Sequence, residues 1–122
     1  MIAIGLAAGL GFSCNNTLLE DIQLVQQLAY SVVSQQVLNV IATPGATGQI
    51  ILQWDPISAA SGYHVYYNTS PGTSLSGLRI SGIIGTTTTL NLSSGITYYF
   101  SVTAYDSYGE SKPSTEVSAT AP

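Results

Sequence analysis

The chain has 122 residues, of which only 7% are charged, and six acids against two bases give a net charge of −4. With Arg79 and Lys112 as its only cations, it cannot neutralise a run of phosphates or a patch of anionic headgroups, which argues against nucleic acid and against a basic membrane-docking face. Its single cysteine, Cys14, cannot form an intramolecular disulfide, and Cys14 and His64 are too few soft ligands for a structural metal site.

Residues 1–13 are apolar and small, too short to span a bilayer as a helix. Their length and composition fit the apolar stretch of a secretory signal, although no Lys or Arg precedes them. Gly11-Phe12-Ser13 leads directly into Cys14. The arrangement resembles a bacterial lipobox, in which small residues precede a cysteine that is acylated and becomes the mature N-terminus. Ser13 matches that pattern, while Gly11 and Phe12 depart from it. The resemblance implies lipidation at Cys14 and attachment without a spanning helix. It also implies export to the cell envelope or surface, as an outer-membrane lipoprotein or otherwise outside the cell.

Residues 14–36 read as a tether with helical periodicity. Thr17 and Glu20 have capping-box spacing, and Leu18, Ile22, Val25, Leu28, Ala29 and Val32 recur at three- and four-residue steps. Five glutamines supply much of its polar face. Such a helix packs on its own domain or associates with copies of itself or another envelope protein.

From Val37 the pattern changes to alternation. Strands are expected at 37–42, 49–54, 62–67, 78–80, 87–92, 98–105 and 116–120. They are separated by Thr43-Pro44-Gly45, Asp55-Pro56, Ser70-Pro71-Gly72 and similar turn signals. Seven short strands without an intervening helix indicate an all-β, antiparallel sandwich over 37–122, preceded by the N-terminal α-helix.

Several motifs then carry a family resemblance. Trp54 followed by Asp55-Pro56, the Gly62-Tyr63-His64-Val65-Tyr66-Tyr67 strand, Leu92-Ser93-Ser94-Gly95-Ile96-Thr97-Tyr98, and the Ala104–Ser114 stretch are in order and normally spaced. They resemble the fibronectin type III domain, an immunoglobulin-like fold. The resemblance implies a core containing Trp54, Tyr63, Val65, Leu92, Tyr98, Phe100 and Val102. Leu92 and Gly95 would build a turn beneath a tyrosine corner at Tyr98.

Nothing assembles into a catalytic constellation. Asp55, Asp106, Glu110 and Glu116 are the carboxylates of the sandwich, and the Asp106–Glu110 loop reads as turn chemistry. His64, on the strand face opposite Tyr63 and Val65, is expected to be exposed. There is no G-x-S-x-G nucleophile context and no phosphate-binding glycine loop. Asn15, Asn68 and Asn91 open N-x-S/T triplets in a Ser/Thr-rich chain, where such triplets are common.

The chain is therefore expected to be non-enzymatic and without a cofactor. Tyr66, Tyr99, Tyr105 and Tyr108 are expected at the surface as contact residues for a protein or glycan. The loop carrying Tyr105 and Tyr108 is one that some family members use for recognition, though it has no Arg-Gly-Asp triplet. Two other roles fit the sequence: a pilin-like filament subunit assembled through the apolar N-terminus and helix, and an accessory module of a secreted carbohydrate-active system.

Overall fold

The computed structural model describes residues 32–72 and 76–122. Cys14, the 1–13 segment and nearly all of the expected helix lie outside the described residues. Three strands, β1 (Ile41–Pro44), β2 (Gln49–Gln53) and β5 (Thr87–Asn91), form one antiparallel sheet in the order β1-β2-β5. The second sheet holds β3 (Gly62–Asn68), β4 (Leu78–Ile83), β6 (Thr97–Asp106), β7 (Gly109–Glu110) and β8 (Val117–Thr120). Its order runs β4-β3-β6, with β7 and β8 each paired to β6.

Period-two alternation places one set of side chains from each sheet in the core. Ile50 and Leu52 of β2 and Leu90 of β5 meet Tyr63 and Val65 of β3. Tyr98, Phe100, Val102 and Ala104 of β6 complete the same cluster. Phe100, Ile50, Leu52, Val65 and Val102 are wholly buried, each stabilising by about 1.5–3 kcal/mol through its removal from water. Trp54 closes β2 and tilts against Tyr63 with ring centroids 5.4 Å apart.

The corner around Tyr98 forms as the motif implies. The Ser93 N–H donates to the Tyr98 hydroxyl at 3.1 Å. Gly95 turns the chain at φ +81°, a conformation that a side chain would strain. A second tyrosine does a similar job, since the Ile57 N–H donates to Tyr63 Oη at 2.9 Å. Leu92, expected inside the core, is only half-buried, packed against the core's margin as the chain leaves β5.

The entry into the sandwich differs from the expected 37–42 strand. The chain reaches the domain beside the segment before β8, where Gln36 makes a parallel bridge to Lys112. Val37 is buried, Asn39 adopts φ +54°, and only at Ile41 does the chain join β2. Helical structure is likewise confined, among the described residues, to a 3₁₀ turn at Val32–Ser34. The Gln35 carbonyl accepts from the Lys112 N–H at 3.1 Å and Gln36 bridges Lys112, so this part of the chain is committed to strand-type pairing and not to a helix through Gln36.

Candidate functional site

The outward face of the five-stranded sheet gathers most of the residues singled out for function. In the β3–β6 register His64 faces Thr103, Tyr66 faces Ser101, and Gly62 faces Tyr105. Arg79 of β4 lies beside Tyr66. At Gly62 a Cβ would lie 2.5 Å from the Tyr105 hydroxyl, so a side chain there would displace that ring. The Tyr105 ring therefore lies over that position, and His64 stacks on it with centroids 4.4 Å apart and planes 13° from parallel.

Glu110 is the hub of this face. Its Oε2 accepts from the Tyr66 hydroxyl and from Thr103 Oγ1, both at 2.5 Å. Burial, and then the hydrogen bond to Glu110, raise the Tyr66 pKa above its ordinary 10.0. Burial of the His64 imidazole lowers its pKa below 6.5, against the pull of Glu110 and with the help of Arg79. His64 Nδ1 is buried without a hydrogen-bond partner, so a second proton there would gain no acceptor.

Two expectations are corrected by this geometry. Tyr66, expected at the surface, is buried, because the strand face it occupies is roofed by neighbouring side chains and its hydroxyl is drawn to Glu110. His64, expected to be exposed, is half-buried between Tyr105 and Tyr66. Tyr99 and Tyr105 are half-buried, and Tyr108 at the β6–β7 turn is 47% exposed. Those three tyrosines offer the accessible aromatic surface, while Tyr66 supports it from beneath.

The stretch from Asp106 to Ser114 contains functional side chains that turn chemistry alone does not reveal. Asp106 Oδ1 accepts from the N–H groups of Tyr108 at 2.8 Å and Gly109 at 3.2 Å, while its Oδ2 holds Val32. One carboxylate thus ties the hairpin tip to the incoming chain. Between β7 and β8 the ladder along β6 is interrupted, so the Val102 and Ala104 N–H groups have no strand carbonyl opposite them. Two buried serines replace the missing acceptors. Ser111 Oγ accepts from the Ala104 N–H and Ser114 Oγ from the Val102 N–H, each at 2.9 Å. The signal for this arrangement is Ser111-Lys112-Pro113-Ser114: each serine also donates its own N–H to the same β6 residue, Ser111 to the Ala104 carbonyl at 2.8 Å and Ser114 to the Val102 carbonyl at 2.9 Å, so both backbone groups of Ala104 and Val102 are met.

Glu116 closes the far end, where its Oε2 accepts from the Gly72 N–H at 2.9 Å. The carboxylates of this sheet are thus engaged in backbone and hydroxyl hydrogen bonds. Among the described residues no three His, Cys, Asp or Glu side chains gather where they could hold a metal ion. No described helix is long and apolar enough to cross a membrane. The face is suited to contact through rings, hydroxyls and amides.

Two antiparallel sheets with this order and a tyrosine corner define an immunoglobulin-like sandwich. The Fibronectin type III domain family matches residues 35–120, and the chain belongs to that family. Three solved structures share the fold. The FN1–FN3 domains of chicken CNTN1 superpose with TM-score 0.63 at 20% identity, covering 72% of this chain and 31% of that one. An Fn3-like protein from Clostridium thermocellum gives 0.61 at 24% identity, covering 69% and 88%. The FN5 domain of Drosophila Lar gives 0.59 at 19%, covering 74% and 98%. A Kelch domain-containing protein of Saccharolobus solfataricus is 30% identical over 115 residues, which is 94% of this chain but 15% of that protein. This chain therefore spans a small fraction of that curated relative's length.

Proposed function

We propose that the protein is a non-enzymatic envelope or surface component that presents one fibronectin type III module for recognition of a protein or glycan. The observation that carries this reading is the division of labour on the five-stranded sheet. Asp106, Glu110, Ser111 and Ser114 are committed to holding strands and turns. Tyr99, Tyr105 and Tyr108 remain accessible along an open face and at its tip. Tyr is a favoured contact residue because it buries a large rigid area and keeps a polar end. Binding of the full chain to protein and glycan arrays, compared with a Tyr99→Ala/Tyr108→Ala variant, tests this. Captures that depend on the two tyrosines support it, and captures identical in the variant refute the assignment of the face.

Presentation is the second part of the proposal. Acylation at Cys14, after removal of residues 1–13, would hold the module at a membrane by its N-terminus. The lipobox-like Gly11-Phe12-Ser13-Cys14 sequence supports this. The mass of the mature N-terminus is the test. A lipid-bearing Cys14 at position one is expected, and an intact Met1 with an unmodified thiol would remove the anchor from the proposal.

A further inference from the structure

The charges of this chain are unevenly placed. Glu20, Asp21, Asp55, Arg79, Asp106, Glu110, Lys112 and Glu116 are all there are, so none falls on β1, β2 or β5. Native sheets protect their outer strands with charges, prolines, bulges or a covering element. Two other outer strands have such devices. β4 carries Arg79 and a register irregularity opposite Tyr63–Val65. β1 ends in Pro44 and lies against β8.

β5 has none of them. Its sequence is Thr87-Thr88-Thr89-Leu90-Asn91, regular throughout its pairing with β2, and among the described residues no strand pairs its other side. The Trp54 N–H bonds the Thr86 carbonyl at 3.0 Å and the Leu92 N–H bonds the Gly48 carbonyl at 2.7 Å. Even-numbered residues therefore face β2 with their backbone groups. The N–H and C=O of Thr87, Thr89 and Asn91 point to the open edge. The side chains of all three are exposed.

We propose that β5 is a homodimerisation edge, pairing antiparallel with β5 of a second copy about a two-fold axis at Thr89. The geometry is self-complementary. Thr89 lies opposite Thr89 of the second copy, and Thr87 lies opposite Asn91. These are the residues whose backbone groups point away from β2, so each pair exchanges two N–H···O bonds. Opposed Thr and Thr–Asn side chains are favourable or neutral across strands, and no like charges meet. The two three-stranded sheets become one continuous sheet, leaving the Tyr99–Tyr108 surface of both copies uncovered. A second copy fits this edge better than a charged partner strand because every residue from Ile80 to Tyr105 is uncharged.

Site-specific crosslinking of the full chain tests both the partner and the register. In a Cys14→Ser background, Thr89→Cys places the two sulfurs on a hydrogen-bonded pair whose Cα atoms are about 5.5 Å apart, inside the disulfide range. Thr87→Cys places its two copies about 14 Å apart along the strands, beyond reach. Disulfide dimer from Thr89→Cys but not from Thr87→Cys is expected. Equal crosslinking of the two, or none from either, overturns the proposal. Sedimentation of Thr89→Lys offers an independent check. Its side chain is exposed and its N–H is not used by β2, so the fold is retained and the dimer should dissociate. A dimer undiminished in that folded variant also overturns the assignment of the edge.

Discussion

The two sheets of this sandwich are stabilised differently. The three-stranded sheet carries no charge and rests on a regular backbone ladder with Ile50, Leu52 and Leu90 pressed inward. In the five-stranded sheet the ladder is interrupted around Pro113, and Ser111, Ser114, Asp106 and Glu110 supply what the backbone does not. Where strands run regularly, apolar packing is sufficient. Where the chain must turn, cross or accommodate a proline, specific polar side chains are needed, and they become available to shape a surface. The same contrast separates the two proposed interfaces: an aromatic face built on polar supports, and a plain edge distinguished by lack of protection.

The largest effect should come from the core that both sheets share. Trp54→Ala removes a ring that is 5% exposed and packed on Tyr63, and should cost about 3–5 kcal/mol in denaturant unfolding. A loss under about 1 kcal/mol would mean that the sheets do not depend on each other through this contact.

Ser114→Ala probes the polar supports. It strands the buried Val102 N–H, and a loss of about 1–3 kcal/mol is expected from equilibrium unfolding. A comparable exposed change on the other sheet, Thr89→Ser, should shift stability by less than about 0.5 kcal/mol. Equal losses at the two sites would erase the distinction between the sheets.

Tyr98→Phe removes the one hydroxyl that holds the Ser93 N–H, for about 1 kcal/mol. The smallest effect is a pH dependence confined to the five-stranded sheet. The folded state lowers the His64 pKa below 6.5, so the unfolded chain takes up that proton first. This contribution to stability is complete above pH 6.5 and declines as pH falls through the window between the unfolded and folded pKa values. Thermal melts from about pH 7.5 down to about pH 5 should show this slope, and His64→Gln should flatten it. An unchanged slope in the variant would show that His64 is not its source.

Much of the fold is legible in the residues themselves. Trp54, the Leu92–Gly95–Tyr98 corner and the alternation of Phe100, Val102 and Ala104 identify the sandwich, because strand period and turn chemistry are local properties. The candidate face is less legible. Alternation correctly places His64 and Tyr66 opposite Tyr63 and Val65, but not how far they are covered. Exposure depends on Glu110 reaching across from β7 and on Tyr105 lying over Gly62. Both are long-range partners, invisible to a local pattern.

The boundary between what the sequence determined and what tertiary structure decided follows the range of the interactions. Short-range signals established the class of protein and the two-layer core, and the scarcity of charge is read directly from composition. Only the folded arrangement showed that Asp106 captures Val32, that Ser111 and Ser114 substitute for a broken ladder, and that β5 is the outermost strand of its sheet. Each of these depends on which strands become neighbours, and burial makes an unpaired backbone group costly enough that the neighbouring side chains must answer it.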